Sequence, residues 1–402
     1  MMDTWFIELA KGIGRVFLNP LLYWALILVI FAGYKRIKRE RKNFGVKVFD
    51  VFAEWKSTWG LSLISGFVIS VITLGAGLVL TYETILLLSA VIIILSLTLN
   101  FTMLSSSYTI GISFILLLFL PFLLENQTYV DPDLFSATNF TGLILLLGIF
   151  LIVEAFLLGR VKDNESFPEL RMGNRGAWTG QHHARKMAFI PFLILVPTGM
   201  ITPFAAYWPY FSIGEETYSL VLVPFLLGFD HVIKSNLPRQ SALRIAKRTA
   251  ILGTLVILMA IGGSFLPWLS FAAVLIAIIG KEYINYNHRA GDRKRTNYYH
   301  QTEKGLKVLA VIPGTPADRL GIRVGETIYR VNGKKVGSTE EFYQALQESG
   351  ASFKLDLLDH SDEIRFVQGA LYEGEHHELG IIFTSEPYRL DKKRSQKAAA
   401  QN

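Results

Sequence analysis

From about residue 16 to residue 280 the chain is a series of long apolar runs separated by short polar breaks, and after Lys281 it becomes an ordinary mixed sequence. A bilayer core of about 30 Å takes roughly 20 helical residues to cross. Runs of that kind lie near 16–34, 61–80, 84–101, 109–124, 141–158, 187–208, 218–233, 249–265 and 267–280. Only Gly263-Ser264-Phe265-Leu266-Pro267 separates the last two, which predicts a tight helical hairpin. The run at 218–233 is short and ends near Asp230-His231. The pattern predicts eight or nine spans, an α-helical polytopic membrane bundle over residues 1–280. Residues 281–301 read as a basic juxtamembrane linker, 302–386 as a small α+β domain, and 387–402 as a charged, disordered tail.

In the soluble part the period changes. Gly305-Leu306-Lys307-Val308-Leu309-Ala310-Val311-Ile312 alternates like a half-buried strand. Pro313-Gly314-Thr315-Pro316 is a turn cluster, and Ala317 to Gly321 is a short helical turn ended by glycine. Thr327 to Val331 is a strand, and Asn332-Gly333 is the favoured two-residue hairpin turn. Ser338 or Thr339 caps a helix through about Gln347, with Phe342, Ala345 and Leu346 on one face. Strands near 352–358 and 363–368 follow. Together these motifs resemble the PDZ domain of bacterial membrane proteins and proteases. The resemblance implies that an extended peptide adds as a strand to a sheet edge, its terminal carboxylate caught by backbone N–H groups. The counterpart of the family's carboxylate loop is Glu378-Leu379-Gly380-Ile381-Ile382-Phe383, at the end of the domain rather than its start. The expected groove is therefore Leu379, Gly380 and Ile381 against Phe342, Ala345 and Leu346.

Composition narrows the class. Hydrophobic residues are 51% and charged residues 18%, against about 25% charged in typical soluble domains. Mean hydropathy is +0.36. A disordered chain, a disulfide scaffold and an ordinary cytosolic enzyme are excluded. With no cysteine there is no thiolate nucleophile and no cysteine-ligated zinc or iron–sulfur cluster.

The net charge of +7 is mostly a topology signal. Segments 35–48, 159–186 and 234–248 hold seven, six and five Lys or Arg, and the alternate loops at 81–83, 125–140, 209–217 and 262–267 hold none. Several of those carry acids instead: Glu83, Glu125, Asp131, Asp133, Glu215 and Glu216. Basic loops stay cytoplasmic, which predicts a multi-pass protein of the cell membrane whose basic loops and soluble domain face the cytoplasm. The first run lacks a basic leader and a small-residue cleavage site, so it is expected to remain as an anchor. Residues 302–386 carry nine Lys or Arg and fourteen Asp or Glu, a net of −5. No nucleic-acid footprint is expected there. Arg293-Lys294-Arg295, beside the last span, is expected to meet anionic lipid.

Catalytic patterns are missing. A His-Glu-x-x-His metalloprotease helix and a serine elbow with a partnered base are not found. There is no phosphate-cradling glycine loop. His182, His183, His231, His288, His300, His360, His376 and His377 read as loop, span-end or tail residues, so no metal site or cofactor is expected. Glu154 and Asp230 lie within apolar runs and keep a transporter open as an alternative, with Pro191, Pro197 and Pro203 as breaks in one run. An adaptor for a membrane protease is a second alternative.

The whole plan is similar to that of the cell-division topological determinant MinJ family, including Asn19-Pro20-Leu21-Leu22-Tyr23 leading into the basic stretch and Phe44. The resemblance implies a non-enzymatic scaffold enriched at septum and poles. Its partners would be a DivIVA-like marker, the inhibitor pair MinC and MinD, and other divisome components. It brings no catalytic residues.

Overall fold

The computed structural model describes residues 2–124, 135, 138–173, 176–205, 208–211, 217–348, 352–370, 379–384 and 388. Glu125, Asp131, Asp133, Arg175, Glu215, Glu216, His376, His377, Glu378 and, apart from Tyr388, the tail at 387–402 lie outside the described residues.

The apolar part opens with α1 (Met2–Arg15) and α2 (Pro20–Phe44). Asn19 caps α2 by accepting the Leu21 N–H, and Pro20 takes the first helical position, where its missing N–H costs nothing. Gly45, at φ +79°, supplies the left-handed stop. Then come α3 (Ala53–Lys56), α4 (Trp59–Gly75), α5 (Tyr82–Ser96), α6 (Ser106–Leu124) and α7 (Phe140–Gly159). After an intervening sheet, α8 (Pro238–Gly263) and α9 (Pro267–Arg293) form the expected hairpin. Among the described residues α2, α6, α7, α8 and α9 are long and apolar enough to cross a membrane, and α4 and α5 are apolar but shorter. Because α9 runs to Arg293, most of the segment expected as a linker from 281 is helix.

Two of the expected spans are not helices. The runs near 187–208 and 218–233 form β2 (Trp178–Ile201) and β3 (Tyr218–Ile233), a long antiparallel hairpin, with β1 (Phe167–Met172) paired to the base of β2. The count of eight or nine helical spans therefore gives way to five candidate helices packed around a buried sheet. Proline explains the choice. In a helix, Pro191, Pro197 and Pro224 would each delete a hydrogen bond and clash with the preceding turn. In the hairpin Pro191 stands opposite Pro224. Two residues on, Leu193 turns its N–H and C=O away from β3, to Ser70 Oγ (2.8 Å) and the Thr73 hydroxyl (2.7 Å) of α4. The two prolines share that phase, so the missing N–H groups interrupt no cross-strand bond.

A sheet edge in an apolar setting needs partners for its backbone, and here side chains and a neighbouring backbone N–H supply them. Along β2, the Thr58 hydroxyl donates to Met187 O (2.7 Å) and Leu80 N–H to Leu195 O (3.0 Å). Gly66 lets α4 lie directly on β2, since a Cβ there would sit 2.1 Å from Pro191 O. Along β3, Arg15 donates to Leu220 O (3.2 Å), Thr102 to Asp230 O (2.8 Å) and His288 to Val232 O (2.9 Å). The faces are packed as well, with Phe150 of α7 stacked on Phe225 at 3.9 Å between centroids.

The molecule has two distinct ends. At one, Asn139 donates to Val79 O (3.1 Å) and Phe211 O (2.9 Å), and the Trp208 indole to Leu74 O (2.8 Å). The basic segments gather at the other. Arg36, within the Lys35–Lys42 run, is buried rather than a surface cation. It bonds Glu40 (2.7 Å) and Glu54 (2.9 Å) and lies 4.6 Å from the Phe167 ring centre. Glu40 in turn receives the N–H groups of Val48 (2.8 Å) and Phe49 (3.3 Å), which shapes the turn after α2.

The second domain comprises β4 (Leu306–Val311), α10 (Pro316–Arg319), β5 (Thr327–Val331), β6 (Lys334–Lys335), α11 (Thr339–Gln347), β7 (Ser352–Leu358), β8 (Ile364–Ala370) and β9 (Ile381–Phe383). The sheet order is β8-β7-β5-β4-β9, with β6 beside β5. Asn332 and Gly333, at φ +48° and +81°, make the expected hairpin turn. Ser338 and Glu341 close a reciprocal capping box on α11.

Candidate peptide-binding site

β9 is the last strand in the sheet order, antiparallel to β4. Leu379 O accepts the Ala317 N–H (3.0 Å) and Gly380 O the Ile312 N–H (2.8 Å). In a planar trans peptide the carbonyl and the following N–H point in opposite directions. The N–H of Ile381 is therefore directed away from the β4 side, toward the outer edge, and that of Gly380 away from Ala317 of α10. Ile381 pairs with Val311 in the same phase, so its C=O also faces outward. Gly380 holds φ +81°, and a Cβ there would meet Thr315 Oγ1 at 2.1 Å. Only glycine fits this bend.

The opposite wall is the inner face of α11. Phe342, Ala345 and Leu346 share one buried cluster with Leu379 and Ile381. The Phe342 ring meets Phe383 edge-on at 5.2 Å. The structure thus brings all six expected groove residues to one side of the domain. All six are buried, and the side chains of Phe342, Ala345, Leu346, Leu379 and Ile381 fill the space between α11 and the β9 edge.

This domain is docked on the apolar body. Asn164 clamps it with two bonds, donating to Ile322 O and accepting from Val324 N–H, both at 2.9 Å. Gly180 N–H donates to Tyr299 O (2.8 Å), and Leu309 packs so closely on Gly180 that a Cβ there would lie 2.2 Å from its methyl. Val48, Phe49, Phe167, Leu309 and Ile382 form a shared apolar seam. Beside it opens a cleft of about 770 Å³ lined by Lys56, Lys186, Arg239 and Arg323 together with Glu165 and Asp318.

The histidines near this junction are not loop residues, as sequence reading expects. In β2 they point to opposite faces, as neighbours on a strand must. His183 bridges Glu169 (2.7 Å) and Asp230 (2.9 Å). Burial disfavours its charged form, but the charge of Asp230 and bonds to both carboxylates hold its pKa above the usual value. Burial also opposes ionisation of Glu169, yet His183 and Arg39 bring its pKa down to about 2. His182 is buried against Tyr299 with its ring bonded to Ser166 (2.9 Å). Burial, with the nearby His183 charge, pushes its pKa down to about 3. Of the two ionisable residues that kept transport open, Asp230 is held by His183. Glu154 is fully buried and bonded to Lys281 and to the Ser105 hydroxyl (2.5 Å). Spacing offered no signal for these pairs, because their partners lie 47 to 127 residues away.

Body and site together define a class: an apolar, mainly helical body with helices of membrane-spanning length, carrying a docked domain of PDZ type. Residues 307–358 match the family model of the PDZ domain. Over nearly its whole length the chain is similar to the cell division topological determinant MinJ of Bacillus subtilis (strain 168), 33% identical over 390 residues, covering 96% of this chain and 97% of that protein. It is 22% identical over 383 residues to a probable cell division topological determinant MinJ of Lacticaseibacillus paracasei, covering 92% of this chain and 97% of the relative. The chain belongs to the MinJ family of cell division topological determinants. A putative serine protease HhoA of Synechocystis is 39% identical over 56 residues, 13% of this chain and 14% of its own. That likeness covers only a PDZ-sized stretch, and the relatives matched along most of the chain are named as division determinants, not enzymes.

Proposed function

We propose that this protein is a non-catalytic membrane scaffold that helps place the division septum, bridging a DivIVA-like polar or septal marker to the inhibitor pair MinC and MinD. The observation that carries this reading is the kinship to a division determinant along 96% of the chain. In this reading residues 1–280 are the multi-pass anchor, 302–386 face the cytoplasm, and the protein concentrates at septum and poles. Confinement to a membrane raises the effective concentration of any tethered partner, so a modest affinity suffices. A partner segment adds as a strand to β9, with its carboxylate at the N–H groups of Gly380 and Ile381. Entry requires Phe342 to part from Phe383.

The test is fluorescence localisation in the native host. The intact protein is expected at septa, and deletion of 302–402 is expected to leave it in the membrane while misplacing at least one division partner. Uniform membrane fluorescence, with normal septa in a deletion strain, sinks the proposal and favours transport. For the groove, Gly380→Val and Phe342→Ala in the full chain are expected to weaken partner-peptide binding. Unchanged affinity in a folded Gly380→Val protein removes this loop from the site.

A further inference from the structure

Where α8 begins and α9 ends, a pocket of about 180 Å³ opens at the basic end of the body. Its rim carries three guanidinium groups, Arg244 and Arg248 from successive turns of α8 and Arg295 just beyond α9. Asn287 and His288 line the α9 side. One carboxylate is present, Asp292, and it is already engaged. It accepts the N–H of Lys234 (2.8 Å) and of Ser235 (3.0 Å) and so serves the loop before α8. Among the described residues none of the three arginines is held in an ion pair. Three guanidinium charges thus face a single carboxylate, which leaves the pocket with a net excess of positive charge.

Its depth points to the occupant. Ile251, 70% exposed on α8, comes three residues after Arg248, a rise of about 4.5 Å at 1.5 Å per residue. Tyr283, 64% exposed on α9, comes four residues before Asn287, a rise of about 6 Å. Exposed apolar and aromatic side chains on helices of spanning length mark the zone where acyl chains give way to headgroups. The pocket lies immediately below that zone on both helices. Planar guanidinium groups match the oxygens of a phosphate in paired hydrogen bonds.

We propose that this pocket is a binding site for the phosphate headgroup of an anionic phospholipid, held by Arg244, Arg248 and Arg295. A lipid bound there bridges α8 to the segment leading into the PDZ domain. It thereby ties the placement of that domain to the charge of the surrounding membrane.

The test uses the purified full chain in detergent micelles, titrated with short-chain phosphatidylglycerol, short-chain phosphatidylcholine and inorganic phosphate. Phosphatidylglycerol is expected to bind at least about tenfold more tightly than phosphatidylcholine, and the double variant Arg244→Gln, Arg248→Gln to lose about tenfold or more. The double variant Arg244→Lys, Arg248→Lys, which keeps the charge, is expected to retain a measurable share of the binding. Lys38→Gln, an exposed cation on α2, is expected to bind like the unaltered chain. Unchanged affinity in the glutamine double variant overturns the site. An equal loss in Lys38→Gln overturns it too, in favour of diffuse surface charge. Inorganic phosphate binding as tightly as phosphatidylglycerol overturns the lipid and leaves a soluble anion.

Discussion

The chain builds β-structure twice, in opposite ways. In the PDZ domain, β4 and β5 are short, their turns are marked by Asn332-Gly333 and Gly314, and polar side chains such as Lys307 and Arg330 interrupt the apolar positions. In the body, β2 and β3 run 24 and 16 residues, are apolar on both faces over most of their length, and have helices packed along them. Water can satisfy an exposed PDZ edge. The hairpin inside the body has no such recourse, so hydroxyls of Thr58, Ser70 and Thr73 and the side chains of Arg15, Thr102 and His288 take over that role. Polar groups are few in the body, and those along the hairpin edges and at the buried charges hold groups that water does not reach. Loss of a polar contact should therefore cost much more there than in the PDZ domain.

The largest effect is expected at Arg36. Arg36→Met leaves Glu40 and Glu54 buried without their cation and is expected to destabilise the full chain by about 3–5 kcal/mol. This is read as a drop in unfolding temperature in detergent, and an unchanged temperature breaks the contrast at its strongest point. Next is Thr73→Val, which keeps the shape and removes the donor to Leu193 O; about 1–3 kcal/mol is expected for the stranded carbonyl. A loss no larger than that of a surface substitution shows that the edge finds another partner.

A smaller effect should follow pH. His183 has a folded-state pKa raised by Asp230 and Glu169, so its contribution is fully present below its unfolded value of about 6.5 and fades as pH rises through the folded value. The stability difference between the wild type and His183→Asn should therefore shrink as pH rises above about 6.5 and through the folded value. A difference that grows over that interval contradicts the charged bridge. The smallest effect is expected in the PDZ domain. Lys304 and Asp362 form an exposed pair at 2.6 Å, and Lys304→Ala should cost less than about 1 kcal/mol. A loss there as large as that of Thr73→Val removes the distinction between the two regions.

The PDZ domain was legible along the chain because its signals are local. A capping box, a two-residue hairpin turn and left-handed glycines each act within a few residues, and water lets buried and exposed positions alternate visibly. The apolar character of the body, the runs near 16–34, 109–124, 141–158, 249–265 and 267–280 that prove helical, and the hairpin turn between the last two were equally plain, but the extension of these helices into the basic stretches up to Phe44, from Pro238 and up to Arg293 was not. Strand and helix could not be told apart at 187–208 and 218–233, because a segment buried on all sides loses the periodicity that separates them. Pro191, Pro197 and Pro224 were the one local hint, and their meaning depends on register. Whether a proline interrupts a hydrogen bond is decided by the strand across from it, and Pro191 meets Pro224 only once the hairpin has formed. The buried charges are of the same kind. Along the chain Arg36 and His183 look like members of basic segments and Glu154 like a lone acid in an apolar run, and only the folded arrangement brings Glu54, Asp230 and Lys281 to them. Composition and local pattern determined where the chain avoids water. Tertiary structure alone decided how the backbone and charges placed there are satisfied, because a polar group cut off from solvent must find its partner in whatever segment packs beside it.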